Sequence, residues 1–296
     1  ILSYDAKDIT IASGYGANIA GPITIAGKNI YINANLGVTT ANSNINITGY
    51  GNITLAASTK ITTNGGAATL WADKYSWYSG GAIVLENNAN ISTSGGNITL
   101  GGGYDPLTEY ARASTADAAY PKYLQGIYLS SGSSLNSSNG TITLNGKSDQ
   151  NVYAVTTGVY LDGGTITAGT GKISISGLQT SSSGTLPNAQ GVIINGGIYS
   201  SSTSSDAISI IGNASGANGG GTSLGINIQD GATIQANGTG GGIYIYGSAG
   251  TATGYESGVD FGGNVSVLAA SGPIVIESNN PTRTAPTNYD MRASGN

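Results

Sequence analysis

The chain has no cysteine and no histidine, one methionine and one phenylalanine among 296 residues, and only 8% of its residues are charged. Without cysteine there are no disulfides, no CxxC redox chemistry, no thiolate metal ligands and no cysteine nucleophile. Without histidine, the histidine-dependent triads and most zinc sites go too. Ten Lys and Arg residues, dispersed singly against 15 Asp and Glu, give a net charge of −5 and a pI near 4.5. That leaves no basic patch to follow phosphates and no cationic face for a membrane surface, so nucleic acid is not an expected partner. No apolar run approaches the ~18 residues of a spanning helix, and membrane insertion is not expected either. The chain opens on ILSYDAKDITIAS, with neither a basic n-region nor a cleavage site, and is expected to be a piece of a longer protein.

What the chain does have is glycine, 49 residues of it. No strict third-residue glycine occurs, which excludes a collagen-like chain. Regular short bursts of Ile, Val and Leu at low net charge argue against disorder. The bursts are all alike: GNITLAAS at 51–58, GGNITLGGG at 95–103, GTITLNG at 140–146, GKISISG at 171–177, GGIYIYG at 241–247. Glycine weakens a strand it interrupts, so short strands between so many glycines are read first as a repeat.

Apolar triplets begin at Ile23, Ile53, Ile83, Ile127, Val159, Val192, Ile226 and Val259, at spacings of 30, 30, 44, 32, 33, 34 and 33. Side chains of a strand alternate, so each of these residues shares a face with the one two positions on: Ile25, Leu55, Leu85, Leu129, Leu161, Ile194, Ile228 and Phe261. All are apolar. A second series runs from Ile45–Ile47 to Ile274–Ile276, and a weaker strand lies between, headed by Ile30, Ile61, Ile91, Leu135, Ile166, Ile198, Ile234 and Val265.

Three short strands per 30–34 residues describe a coil of an all-β, right-handed parallel β-helix. About eight full coils, each about 4.8 Å above the last, make a rod of roughly 40 Å. Residues 1–296 are read as a single β-solenoid domain, with glycine at corners that need positive φ or close backbone approach. An antiparallel sandwich is the alternative, but it does not require one phase across eight units.

The pattern breaks at 71–80 and 103–125. The first insertion, WADKYSWYSG, carries Trp71, Tyr75, Trp77 and Tyr78; the second carries Tyr104, Tyr110, Tyr120 and Tyr123 with Asp105, Glu109, Arg112 and Lys122. Loops on a rigid scaffold are where binding residues concentrate, so Tyr75, Trp77, Tyr78, Tyr104, Tyr110, Tyr120 and Tyr123 are the candidate ligand or partner contacts. The competing reading is that the loops fold back over neighbouring coils. One position after the head of the first strand, the outward column reads Thr24, Thr54, Val84, Tyr128, Tyr160, Ile193, Asn227, Asp260. Val84, Tyr128, Tyr160 and Ile193 thus form an apolar stripe that needs either a cover, such as the 103–125 insertion, or a lateral partner.

Other chemistries find less. Glu86 and Asp162 stack by register two coils apart, about 9 to 10 Å, near the carboxylate separation of inverting glycosidases, but no basic residue shares their column. The outward Thr and Ser of the later strand are accounted for by β-propensity. The GGxGxD calcium repeat and the GxxxxGK[ST] phosphate loop are absent, so neither metal nor cofactor is expected. Nine N-x-[ST] sequons occur, at Asn46, Asn52, Asn90, Asn97, Asn136, Asn139, Asn213, Asn237 and Asn264.

The stretches GAIVLENNANISTSGGNITLGGGYDPLTEYA and GIYLSSGSSLNSSNGTITLNGKS resemble the repeat region of filamentous haemagglutinin-like exoproteins of Gram-negative bacteria, including high-molecular-weight adhesins exported by two-partner secretion. The likeness covers about residues 20–278. It implies a secreted, extracellular or cell-surface rod acting in adhesion, biofilm or cell–cell contact, with a host or bacterial surface glycan or protein as partner. The expected function is therefore a non-enzymatic adhesive or structural rod. The alternative is a self-assembling extracellular filament whose coil ends stack copies of the chain on one another. A β-helix polysaccharide lyase or hydrolase using Glu86 and Asp162 is the minor one.

Overall fold

A three-residue strand such as Ile83–Leu85 cannot hold its own backbone; its N–H and C=O groups need neighbours on both edges. The computed structural model, which describes residues 2–4, 7–75, 80–114, 121–149, 155–180, 188–214, 221–250, 252, 254–280 and 289–293, supplies them by winding the chain as a β-solenoid. Each strand pairs in parallel with its counterpart one coil away. On the first face Ile53, Ile83, Ile127, Val159, Val192, Ile226 and Val259 lie in register. The second face aligns Ile61, Ile91, Leu135, Ile166, Ile198 and Ile234. The third stacks Ile45, Ala68, Ile98, Ile142, Ile173, Ile208, Ile243 and Ile274. Helix is confined, among the described residues, to one 3-10 turn at Pro121–Leu124.

The inward columns of all three faces meet in one continuous core, in which Ile53, Leu55, Ile83, Leu85, Ile127 and Leu129 have no exposed surface. Full burial of each such side chain is worth about 1.5–3 kcal/mol. That repeated gain is what offsets the ordering of so glycine-rich a backbone.

The N-terminal phase differs from the expected one. Ile23 pairs with Ile45, on the third face, and it is Ile30 that pairs with Ile53 on the first. Ile9 pairs with Ile30 in turn, so the early coils advance by only 21 and 23 residues, against 30 from Ile53 to Ile83. The outward neighbour of Thr54 is accordingly Tyr31 rather than Thr24. On the second face, Val267 rather than Val265 continues the column of Ile234. Alternation has the same form on every face, so an isolated Ile-Thr-Ile does not reveal which side of the coil it occupies; hydrogen-bonded register does.

Corners are held by stacked polar groups. The Thr63 and Thr93 hydroxyls donate to the carbonyls of Gly66 and Gly96, and the Ser137 hydroxyl donates to the carbonyl of Gly140 at 2.5 Å. At another corner the Asn29 side-chain oxygen accepts from the Asn52 N–H at 2.9 Å, and Asn52 repeats the arrangement with the Ala82 N–H at 2.8 Å. Coil stacking leaves no room above the glycines there: a Cβ on Gly96 would lie 2.0 Å from the Gly66 carbonyl oxygen. Close approach, not φ, is the constraint at that position.

Candidate functional site

On the third face the strand Ala68–Lys74 follows its neighbour Ile98–Gly103 residue by residue to Trp71 and then slips register before Lys74. The slip falls at Asp73 (φ 47°), and Tyr75 (φ 68°) lies just beyond it, both in the left-handed region. A bulge of this kind bends a strand and re-aims its side chains. Here it gathers rings: Tyr75 lies with its centroid 6.4 Å from those of Trp71 and Tyr50, and 5.7 Å from that of Tyr104. The Lys74 ammonium sits 4.5 Å from the Trp71 ring centroid and 4.8 Å from that of Tyr75, within cation–π range.

The second insertion is bound to the first. Both the Trp71 indole N–H (2.9 Å) and the Tyr75 backbone N–H (3.0 Å) donate to the carbonyl of Gly103, where the second loop begins. Asp105 shapes that loop, its side chain accepting from the Leu107 N–H and the Thr108 hydroxyl at 3.0 Å. The chain then returns to the ladder, Ala111 and Arg112 aligning with Gly146 and Lys147. Gly81 and Arg112 exchange two backbone hydrogen bonds, of 2.7 and 3.1 Å, tying the end of one insertion to the other. The glycine run 101–103 is the seat of this loop. A Cβ on Gly101 would lie 2.0 Å from the Pro106 carbonyl oxygen, and one on Gly102 2.3 Å from that of Tyr110.

At the base of the two loops lies a cavity of about 320 Å³ lined by Asp73, Gly103, Glu109, Tyr110, Arg112 and Lys147. Asp73 is 1% exposed, and burial pushes its carboxyl up to about 7, against the opposing pull of the Arg112 guanidinium. Arg112 is itself ion-paired with Asp149, its Nε 2.5 Å from a carboxylate oxygen. Among the described residues no group of three metal-ligating side chains occurs. The arrangement offers hydrogen-bond donors and acceptors of both charges beside an aromatic cluster. No family model, curated protein or solved structure matches the chain.

Of the candidate contacts, the structure brings Tyr75, Tyr104 and Tyr110 to this flank, together with Trp71. Tyr104 stands 65% exposed, whereas the Tyr110 hydroxyl is engaged with that of Ser176 at 3.2 Å. Tyr123 faces elsewhere. It is buried on the first face against Ala82, Val84 and Tyr128, its hydroxyl 2.8 Å from that of Thr54. Trp77, Tyr78 and Tyr120 lie outside the described residues. Asp73, Lys147 and Asp149 were not among the candidates from the sequence, where Asp73 stands far from the other two. The signal available for Asp73 was its position where the alternation of ATLWADK fails.

The Val84, Tyr128, Tyr160 and Ile193 stripe is not an open apolar surface. Val84 is fully buried, with Tyr123 of the second insertion packed over it, and Ile193 is 2% exposed. Tyr128 and Tyr160 are half-buried, packed edge-to-face with centroids 5.3 Å apart. Both donate to Asp162, Tyr160 at 3.4 Å. That carboxylate, one of the two acids stacked by register, is therefore an acceptor for two phenols. Among the sequons, Asn52 is buried within its corner ladder.

Proposed function

We propose that this chain is a non-enzymatic rod segment of a secreted or surface-held bacterial protein of the filamentous haemagglutinin-like kind, which presents the paired insertions for adhesion or cell–cell contact. The observation that carries the reading is the asymmetry of the solenoid. Its ladders are regular, while the two insertions are hydrogen-bonded to one another and place aromatic and charged side chains together on one flank. Exposed aromatic rings held by a stiff scaffold lose little freedom on contact, which favours binding. The partner on this reading is a glycan or protein of a host or bacterial surface.

Beads coated with the purified chain are expected to adhere to surfaces bearing such partners, and Tyr104→Ala, at an exposed position, to reduce adhesion several-fold with unchanged circular dichroism. Equal adhesion by the variant would refute the role of the flank. A second reading, a filament subunit stacking coil on coil, is supported by the ladders themselves, in which each coil pairs in parallel with the next, a pattern that a second copy can extend. Sedimentation and electron micrographs separate the two, since the filament requires long ordered polymers of purified chain.

A further inference from the structure

The cavity at the base of the insertions holds a polar atom that the fold leaves unused. Asp73 Oδ1 is buried and has no hydrogen-bond partner among the described residues. Buried acceptors are nearly always satisfied, and each exception asks for a reason. Its surroundings limit what could supply one. Arg112 is already committed to Asp149, and Glu109 accepts from the Tyr104 N–H at 2.5 Å. Two cations, Arg112 and Lys147, thus face three acids, Asp73, Glu109 and Asp149. Burial disfavours charge on Asp73, so the two cations are met by the carboxylates of Glu109 and Asp149, and an anionic ligand gains no net attraction. An apolar ligand would leave the Asp73 and Lys147 groups desolvated and unpaired.

A hydroxyl both donates and accepts. A ring bearing several of them can donate to Asp73 while accepting from Arg112 and Lys147. The volume, about 320 Å³, is at the small end of ligand pockets and suits one sugar unit rather than an enclosed chain. Tyr104, next to the cavity-lining Gly103, offers an exposed ring face to a neighbouring unit.

We propose that this cavity is a saccharide subsite taking one neutral hexose or N-acetylhexosamine unit of a glycan, with its hydroxyls held by Asp73, Arg112 and Lys147. The assignment rests on the reading of this flank as the contact surface and names the class of ligand it takes. The Trp71 indole N–H, bonded to the Gly103 carbonyl at the cavity edge, is a local reporter. In ¹⁵N NMR titrations of the full chain, methyl glycosides of glucose, galactose, mannose and N-acetylglucosamine serve as neutral probes, and N-acetylneuraminic acid and inorganic sulfate as anionic ones. At least one neutral probe is expected to shift the Trp71 indole resonance saturably. Asp73→Asn and Lys147→Ala are each expected to weaken that binding about tenfold. Should Asp73→Asn fail to fold, Lys147→Ala carries the test.

The assignment is overturned if no neutral probe moves the resonance at its solubility limit, if an anionic probe binds more tightly, or if both variants bind like the parent. The two readings fail separately. A chain that binds sugar in solution but leaves coated beads non-adherent refutes the display role alone. Adhesion that needs Tyr104 but is indifferent to Asp73 and Lys147 refutes the subsite alone.

Discussion

Asp73 makes the stability of its coil depend on pH, in a direction that can be stated in advance. Its carboxyl ordinarily titrates at 3.8 and is pushed up to about 7 by burial in the folded chain. The folded state therefore holds this proton more tightly than the unfolded state does. The stabilisation is complete below the unfolded pKa near 4, falls as pH rises, and is lost once pH has passed the folded pKa near 7. A shift of about three pH units corresponds to about 4 kcal/mol, reduced toward about 2 kcal/mol by relaxation and water entry around the new charge. Asn has nearly the same shape and never ionises, so Asp73→Asn removes the titration.

Urea unfolding followed by tryptophan fluorescence is a suitable assay, because both tryptophans, Trp71 and Trp77, lie in this segment. In a solenoid each coil answers mainly to its neighbours, so the local signal is the relevant one. The stability of Asp73→Asn relative to the parent is expected to rise by about 2–4 kcal/mol between pH 4 and pH 8. A difference that stays flat across that range would refute the account of Asp73 as a desolvated acid.

Two further outcomes follow from packing. Gly96→Ala, which would place a Cβ 2.0 Å from backbone, is expected to cost several kcal/mol, whereas Gly231→Ala, at φ 79° with open space around it, is expected to cost only about 1–2 kcal/mol in the same urea assay. Tyr123→Ala is expected to uncover Val84 and raise binding of a hydrophobic dye, while Tyr123→Phe, which keeps the ring and removes the hydroxyl bonded to Thr54, is expected to cost about 1 kcal/mol without dye binding.

The winding itself was legible from the chain because it is written in period two and repeated. Ile83, Ile127 and Val159 with their partners Leu85, Leu129 and Leu161 needed only strand alternation and a recurrent spacing to be assigned inward, and all are buried. Where the spacing shortened, the same reasoning misassigned Ile23 and Ile30, because a triplet carries no mark of its face. The breaks at 71–80 and 103–125 were visible as departures from the repeat, and Tyr75, Tyr104 and Tyr110 were picked out as aromatic residues within them. What composition could not separate was Tyr123, which covers Val84, from Tyr104, which stands in solvent. The two tyrosines differ only in which way their loop turns.

The linear order of residues was enough to specify a stack of coils with an aliphatic interior, since burial of alternate side chains is a local, repeated requirement. The joining of Gly81 to Arg112, the seating of one loop on Gly101 and Gly102, and the isolation of Asp73 beside the Arg112–Asp149 pair belong to the folded molecule alone. The first and last of these link residues some 30 to 40 positions apart, the loop's seat joins near neighbours through an irregular turn, and coil register and loop path, which decide all three, leave no periodic trace in the chain.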